Sequence, residues 1–374
     1  MDRQTVQNRA VNLSLNNDKV LCEVGTGIGK TLIAIRIIEL HGGFWNIVIA
    51  ERTHELNWVN EFKKHNKEVL LQNVRFFCYQ SFHKYIDQEN YVFDETHRLL
   101  NTDLRLGLLK ESTKTLKKAI FLSATVTRTQ KESLQSIIGN YQTLKFNLSD
   151  AIDFNILPEP KVYFIGIEMN NTNKKYKFHF NKDKYVMCTE REYYNRLSDR
   201  VDYFKQKYFE SQNHFDKIKW LRSANERKKF MAEIKTPYAK IVLHKLRDKR
   251  LICFAANIEQ SKQLGAKYAI NSKLSKEVQN KLLEDFNTLK IDKLHAVGML
   301  REGINLNKIE AGLIVQLDNQ QKFFSQILGR SMRSITPLQY VLYIKDSQDV
   351  RYTETALEDF NMDYVKFITI SNLK

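Results

Sequence analysis

The chain has 374 residues, with 59 Lys+Arg against 43 Asp+Glu, a formal charge of +16 and a hydrophobic share of 43%. Single cores stop growing beyond about 250–300 residues, so this length asks for two domains, and the apolar share excludes a disordered chain. The surplus of positive charge points to a polyanionic partner, nucleic acid above all, with a merely basic soluble enzyme as the alternative.

The opening residues MDRQTVQNRAV lack the apolar core of a secretory leader, and no stretch is apolar for the roughly 18 residues a membrane helix needs. Cys22, Cys78, Cys188 and Cys253 lie far apart with no C-x-x-C pair. Reduced thiols in a cytoplasm-like compartment are therefore expected, rather than a disulfide framework or a zinc site.

From about residue 18 to 150, short β-rich runs alternate with amphipathic helical stretches. KVLCEV, NIVIA, VRFFCY, NYVFD and KAIFLSA read as strands, with KTLIAIRIIEL and HELNWVNEFKKH as helices between them. Such alternation predicts a parallel sheet covered by helices. The pattern returns from about residue 238, with RLICFAA, KLHAVGM, AGLIVQL and QYVLYIK as strands and IEQSKQLGAKYA and KEVQNKLLEDFNTL as helices. Between the two units, NILPEPK reads as an extended connector because of Pro158 and Pro160. Residues 161–235 then carry 18 Lys/Arg against ten Asp/Glu and 15 aromatics. Thr189-Glu190-Arg191-Glu192 has the form of a capping box, opening a helix through YYNRLSDRVDYFKQKYFE. The aromatics recur at helical spacing and are assigned to a core, whereas the basic face is the better candidate for phosphate contacts. The expected domains are 1–155, 156–235 (connector and basic helical insertion) and 236–374.

The stretch EVGTGIGKTLIAI places Gly25, Thr26, Gly27, Ile28 and Gly29 in a turn between a strand and a helix. Glycines there let backbone N–H groups curl around phosphate oxygens, and the helix N-terminus adds its dipole. Lys30 would reach the β- and γ-phosphates and Thr31 would place a hydroxyl on Mg²⁺. Val24 departs from the G-x-x-x-x-G-K-[ST] pattern, so an unliganded tight turn is the competing reading. About 65 residues on, NYVFDETH ends a strand in Asp94 and Glu95. Asp94 would hold the metal and Glu95 would polarise the attacking water, following the general logic of phosphoryl transfer. His97 is placed to link this site to its surroundings.

Asp94-Glu95-Thr96-His97 resembles the D-E-x-H box of superfamily 2 helicases and nucleic-acid translocases. Ser123-Ala124-Thr125 is similar to that family's S-A-T motif, and QILGRSMR, with Gln326, Gly329, Arg330 and Arg333, to its Q-x-x-G-R-x-x-R motif. GMLREGINL, containing Gly303, resembles the motif V loop; Asn305 replaces the aspartate many members carry. VQNRAV with Gln7 resembles the segment that reads adenine, and CYQSFHK the Y-Q-S segment. Family members commonly carry T-G-x-G-K-T, in which the first glycine of the general motif is dispensable. That accounts for Val24.

The resemblance implies two RecA-like parallel-sheet domains in tandem, an α/β fold with a basic, largely helical insertion between them. It implies ATP and Mg²⁺ in a cleft, with Gln7, Gly25, Thr26, Gly27, Gly29, Lys30, Thr31 and Gly303 at the nucleotide and Thr31 and Asp94 at the metal. Glu95, Asp94, Gln326, Arg330 and Arg333 would carry catalysis, the arginines reaching the γ-phosphoryl group from the second domain. His97, Ser123, Ala124 and Thr125 would couple nucleotide state to movement. Arg52, Thr53, Gln80 and Ser81, on loops after strands, suit strand contacts that read no sequence. The expected protein is a strand-stimulated ATPase acting on DNA as a monomer, of the kind found in phage repair helicases and restriction-enzyme motors. An RNA helicase and an adaptor that binds ATP without hydrolysing it are the alternatives.

Overall fold

The computed structural model describes residues 1–180, 183–298, 306, 308–318, 321–332, 334–358 and 360–373, with the backbone alone at 321–323 and 325. It divides into two compact units; Met1–Glu159 and Gln321–Pro337 belong to the first, and the second begins at Pro160.

In the first unit the strands are β1 Lys19–Val24, β2 Trp45–Ile49, β3 Val74–Cys78, β4 Asn90–Asp94, β5 Lys118–Ser123 and β6 Gln142–Phe146. They form one sheet in the order β3-β2-β4-β5-β1-β6, with every pairing parallel. Helices α1 Arg3–Asn16, α2 Lys30–His41, α3 Arg52–Lys64, α4 Asp103–Ser112, α5 Arg128–Ile138 and α6 Leu148–Asp153 complete its N-terminal part. Strands of a covered parallel sheet are buried on both faces and read as continuous apolar runs. β2 and β5 are buried at every residue, and Phe93 and Phe121 stack at 5.0 Å in the core beneath the site. β6 escapes that pattern: it is an edge strand with only Leu144 and Phe146 buried, so its sequence alternates instead of running apolar.

The second unit contains β7 Lys161–Ile167, the antiparallel hairpin β8 Tyr176–His179 and β9 Tyr185–Cys188, and the long helices α7 Glu190–Ser211 and α8 His214–Lys245. There follow β10 Leu251–Phe254, α9 Ile258–Gly265, β11 Ala269–Ile270, α10 Lys276–Asn287, β12 Lys293–Ala296, β13 Ala311–Ile314, β14 Leu338–Ile344, α12 Gln348–Leu357 and β15 Val365–Thr369. (The helix Gln321–Ser331, between β13 and β14 in sequence, is α11 in all that follows, with α12 after it.) The second sheet runs β11-β12-β10-β13-β14-β7-β15, parallel throughout. The α/β fold with two RecA-like parallel sheets is therefore the observed one.

The boundaries differ from the sequence reading. Residues 156–235 are not set apart from the second unit: β7 is a strand of its sheet, lying between β14 and β15. The boundary at 235 falls inside α8, which continues through Pro237. Burial of Lys235, Ala239 and Val242 outweighs the break a proline usually causes, and the Ala232 carbonyl accepts from both the Thr236 hydroxyl and the Gln260 amide. The capping box is present: the Thr189 hydroxyl accepts from the Glu192 N–H. Of the aromatics assigned to a core, Phe178, Tyr194 and Phe230 are core residues, whereas Phe180, Tyr185, Tyr203, Phe209 and Phe215 are exposed, because the helices and the hairpin also place rings on their outer faces.

Candidate active site

Because the first sheet is parallel, the C-terminal ends of its strands share one edge, and the turns after β1, β4 and β5 meet there. The order of the strands brings together residues far apart in sequence. The turn after β1 is shaped by glycine: Gly27 and Gly29 have φ of 92° and 100°, a region that L side chains rarely adopt. Space is also restricted. A Cβ on Gly29 would lie 2.8 Å from Nε2 of Gln7, and one on Gly25 would lie 3.0 Å from the backbone of Asn147 and Leu148. Gly25 N–H donates to Phe146 O at 2.8 Å, so β6 and α6, which the sequence reading missed, hold the start of the loop. Gln7 is buried, and its amide donates to Ile28 O at 2.7 Å. Lys30 and Thr31 open α2, whose N-terminal cap is the left-handed Gly29.

Asp94 ends β4. Its Oδ2 accepts from the indole N–H of Trp58 at 3.0 Å, and its backbone carbonyl accepts from the Tyr79 hydroxyl at 2.7 Å. Burial and the neighbouring Glu95 charge raise the Asp94 pKa, with Trp58, His54 and Lys30 acting the other way. Glu95 sits in the left-handed region at φ 52°, which costs a non-glycine residue about 1–2 kcal/mol. The backbone turn aims its side chain inward, where Oε2 is buried without a hydrogen-bond partner and lies 3.5 Å from Nδ1 of His97. His97 is itself buried, and Nδ1 is also 3.3 Å from Ser123 Oγ. The Ser123 hydroxyl donates to Thr125 O at 2.9 Å, leaving its lone pairs to accept an Nδ1–H. That tautomer lets one imidazole proton face both Glu95 and Ser123, and it joins the D-E-T-H turn to the S-A-T loop. Ala124 is buried beside them and Thr125 is half-buried.

Gln326, Gly329 and Arg330 lie on α11, which packs with the first unit rather than with the second as the sequence boundary had it. A Cβ on Gly329 would lie 2.7 Å from Cβ of Thr26, so only glycine lets this helix approach the phosphate loop. A cleft of about 1270 Å³ is lined by Gly25 to Leu32, Gln7, Trp58, Asp94, Glu95, Gln326, Gly329 and Arg330. Gly303, Asn305 and Arg333 lie outside the described residues. Arg52 and Thr53, exposed at the start of α3, and Gln80 and Ser81, after β3, sit at the same edge of the sheet on neighbouring strands but outside that lining.

Three further residues hold the site in ways the sequence did not signal, Tyr79 having been legible only as the first residue of the Y-Q-S segment. Trp58 and Tyr79 anchor Asp94, as above. Glu23, buried at the end of β1, accepts from Val126 N–H at 3.0 Å and pairs with Lys131 at 2.5 Å, tying the phosphate-loop strand to the loop after Thr125. The strand and helix patterns that contain these positions say nothing about which polar group meets which.

A glycine-shaped turn, two adjacent acidic side chains and a helix bearing Gln326 and Arg330 thus line one cleft. The chain's two parallel sheets and the order of its motifs are similar to those of superfamily 2 helicases and translocases. Comparison with known proteins agrees: residues 232–334 match the family described as Helicase conserved C-terminal domain. No curated protein matches the sequence. Among solved structures, a Saccharomyces cerevisiae Dbp5 variant bound to RNA and ADP–BeF3 is similar over 99% of this chain and 90% of its own, with TM-score 0.63 and 11% identity. The Hef helicase domain of Pyrococcus furiosus is similar over 95% of this chain and 97% of its own, with TM-score 0.55 and 13% identity. The ATP-dependent Type ISP restriction-modification enzyme LlaBIII bound to DNA is similar over 99% of this chain and 31% of its own, with TM-score 0.59 and 14% identity. No helix among the described residues is long and apolar enough to cross a membrane.

Proposed function

We propose that the chain is a nucleic-acid-stimulated ATPase that moves along or remodels DNA. The observation that carries this reading is the convergence of the Gly25–Thr31 loop, Asp94, Glu95 and Arg330 on one cleft. Its volume exceeds the roughly 300–1,000 Å³ usual for small-molecule sites, leaving room for a nucleotide. The loop N–H groups and the Lys30 ammonium hold the phosphates, and Gln7, with Arg3, Gln4 and Arg36 on the same lining, faces the remainder of the nucleotide.

Thr31 and Asp94 suit Mg²⁺, which keeps most of its waters and needs few protein ligands. The fit rests on Asp94 and Glu95 themselves: adjacent carboxylates, one with a raised pKa and the other with an unpartnered buried oxygen, gain from a cation beside them. When bound, the ion supplies neutralising charge to the phosphates. Glu95 accepts a proton from the attacking water, and the His97 imidazole, fixed by Ser123, holds the carboxylate in position. Arg330 offers its guanidinium to charge developing on the γ-phosphoryl oxygens, a role Arg333 shares in this reading. The Ser123–Thr125 loop, tied to Glu95 through His97 and to β1 through Glu23, carries the phosphate state outward.

The preference for DNA rests on the D-E-x-H box and on the Tyr79-Gln80-Ser81 segment. Here Tyr79 is buried as an anchor for Asp94, so Gln80 and Ser81 are left for the strand together with Arg52 and Thr53. ATP turnover with DNA and with RNA oligonucleotides is the test. Stimulation by DNA that Glu95→Gln abolishes is expected; stimulation by RNA alone overturns the choice of strand, and turnover equal to that of the Glu95→Gln variant overturns the enzyme.

A further inference from the structure

The turn between α7 and α8 presents large side chains to water where a helical hairpin normally ends in small polar ones. Phe209 and Phe215 are 57% and 62% exposed, while Trp220 is only partly so. Beneath them Tyr208 and Trp220 stack at 5.8 Å, and Phe209 leans on Trp220 at 6.1 Å. Lysines interleave with the rings: Lys217 lies 5.7 Å from the Tyr208 ring centre and Lys219 lies 4.6 Å from that of Phe215.

The turn is rigid. Gln212 takes the left-handed conformation, Asn213 caps α8 through the Phe215 N–H, and Ser211 donates to the buried Asp216 carboxylate at 2.9 Å. Ordering such rings in advance removes an entropic cost of binding. Residues 203–222 carry five Lys/Arg against two Asp/Glu, so the patch is cationic as well as aromatic.

We propose that this tip is a stacking platform for a single-stranded segment of nucleic acid, with Phe209 and Phe215 taking base faces and Lys217 and Lys219 taking the flanking phosphates. The composition selects this occupant over a protein. Cores of protein–protein interfaces are depleted in lysine, whereas alternation of rings with cations is what a strand of stacked bases and phosphates requires. Any base offers a π-face, so the contact reads no sequence. The inference rests on the nucleic-acid reading above and adds a second contact region to it, remote in sequence from Arg52, Thr53, Gln80 and Ser81.

The test uses the full chain, a fluorescent thymidine oligonucleotide and the same length of abasic strand. Phe209→Ala/Phe215→Ala is expected to lose about thirtyfold or more in affinity for the base-bearing strand and little for the abasic one. Lys217→Gln/Lys219→Gln is expected to lower the salt slope by about 1.4 for two lost phosphate contacts. Basal ATPase and thermal unfolding stay at wild-type values in both, because Phe209, Phe215 and Lys217 are exposed, Lys219 is only half-buried, and all four are distant in sequence from the cleft residues. Among the chain's three tryptophans only Trp220 is appreciably accessible, so quenching of its emission by the oligonucleotide, absent in Trp220→Phe, reports the tip directly. Wild-type binding that the aromatic variant retains in full, with no quenching, overturns this inference alone and assigns the patch to another partner. A wild-type chain that binds no strand overturns the nucleic-acid reading as well.

Discussion

Both units bury charge, and a buried cluster in one treats it in the opposite way to a buried cluster in the other. In the second unit Lys235 and Asp349 are completely buried, yet each is fully answered. Lys235 Nζ lies 2.5 Å from Asp349 Oδ2 and donates to Gln316 Oε1 at 2.9 Å; Gln316 Nε2 donates to Asp349 Oδ1 at 3.0 Å, and Ile344 N–H to Oδ2 at 2.9 Å. This closed ring ties α8, the end of β13 and α12 together. In the first unit Glu95 has a buried oxygen with no hydrogen-bond partner, and Asp94 has a pKa raised by burial and by Glu95. Burial of charge therefore does not mark a functional site. Incomplete satisfaction of two adjacent carboxyl groups on a cleft is the better pointer, because a ligand or a reaction can supply what is missing there.

The largest expected effect breaks the first half of that comparison. Glu95→Gln keeps the shape and removes the base, so turnover with strand should fall by about 10²–10⁴-fold. Urea unfolding of the same variant should show stability equal to or above wild type, since a neutral amide is no longer penalised for burial beside Asp94. Loss of both activity and stability would place Glu95 with the structural charges.

Next in size is the ring in the second unit. Removing one member of a buried pair costs about 3–5 kcal/mol, while replacing both by apolar groups is often close to neutral. Lys235→Met and Asp349→Leu should each lower the urea midpoint strongly, and the double variant should recover most of the loss. Equal losses in the single and double variants would show that the ring stabilises by itself rather than through mutual compensation.

His295 gives a smaller effect with a definite sign. It is buried on β12, and burial pushes its pKa down to about 4 from the ordinary imidazole value of 6.5. The folded state therefore keeps it neutral while the unfolded state takes up a proton. The contribution is fully present above pH 6.5 and is lost as pH falls towards 4, by about 2 kcal/mol between pH 7 and pH 5. The urea midpoint of a His295→Gln variant should depend less on pH over that range, with ATPase measured at pH 7 as a check that the second unit remains intact.

Much of the fold was legible because the central strands are covered on both faces and must be apolar, as β1, β4 and β5 are. The edge strands β6 and β15 were not, since half-exposed strands carry Gln142, Lys145 and Lys366 without cost. The glycine-rich turn after β1 was legible because positive φ demands glycine, and the place of Asp94 and Glu95 because they end an apolar strand. The supports of those residues were not. Trp58 looked like one more apolar position of an amphipathic helix, and its indole N–H has no counterpart in any spacing rule. The packing of α11 with the first unit was equally hidden, since Gly329 reads as a motif residue until the distance to Thr26 is known.

Trp58 supplies the finest test of the comparison, because it is a neutral donor on Asp94 Oδ2 that lowers an otherwise raised pKa. A hydrogen bond to a charged group contributes about 1.5–3 kcal/mol. Trp58→Phe keeps a buried ring beside Phe62 and Phe76, 6.4 and 6.3 Å away in the native packing, and deletes only the donor and the outer ring. Asp94 should then hold its proton to a higher pH, so the acid limb of the ATPase profile moves up while the plateau above it changes little. Raising Mg²⁺ concentration should reverse part of the shift, because cation and proton compete for the same carboxylate. A variant that loses activity equally at all pH values would show that Trp58 serves packing alone, and that Asp94 is held in place by the Tyr79 contact to its backbone.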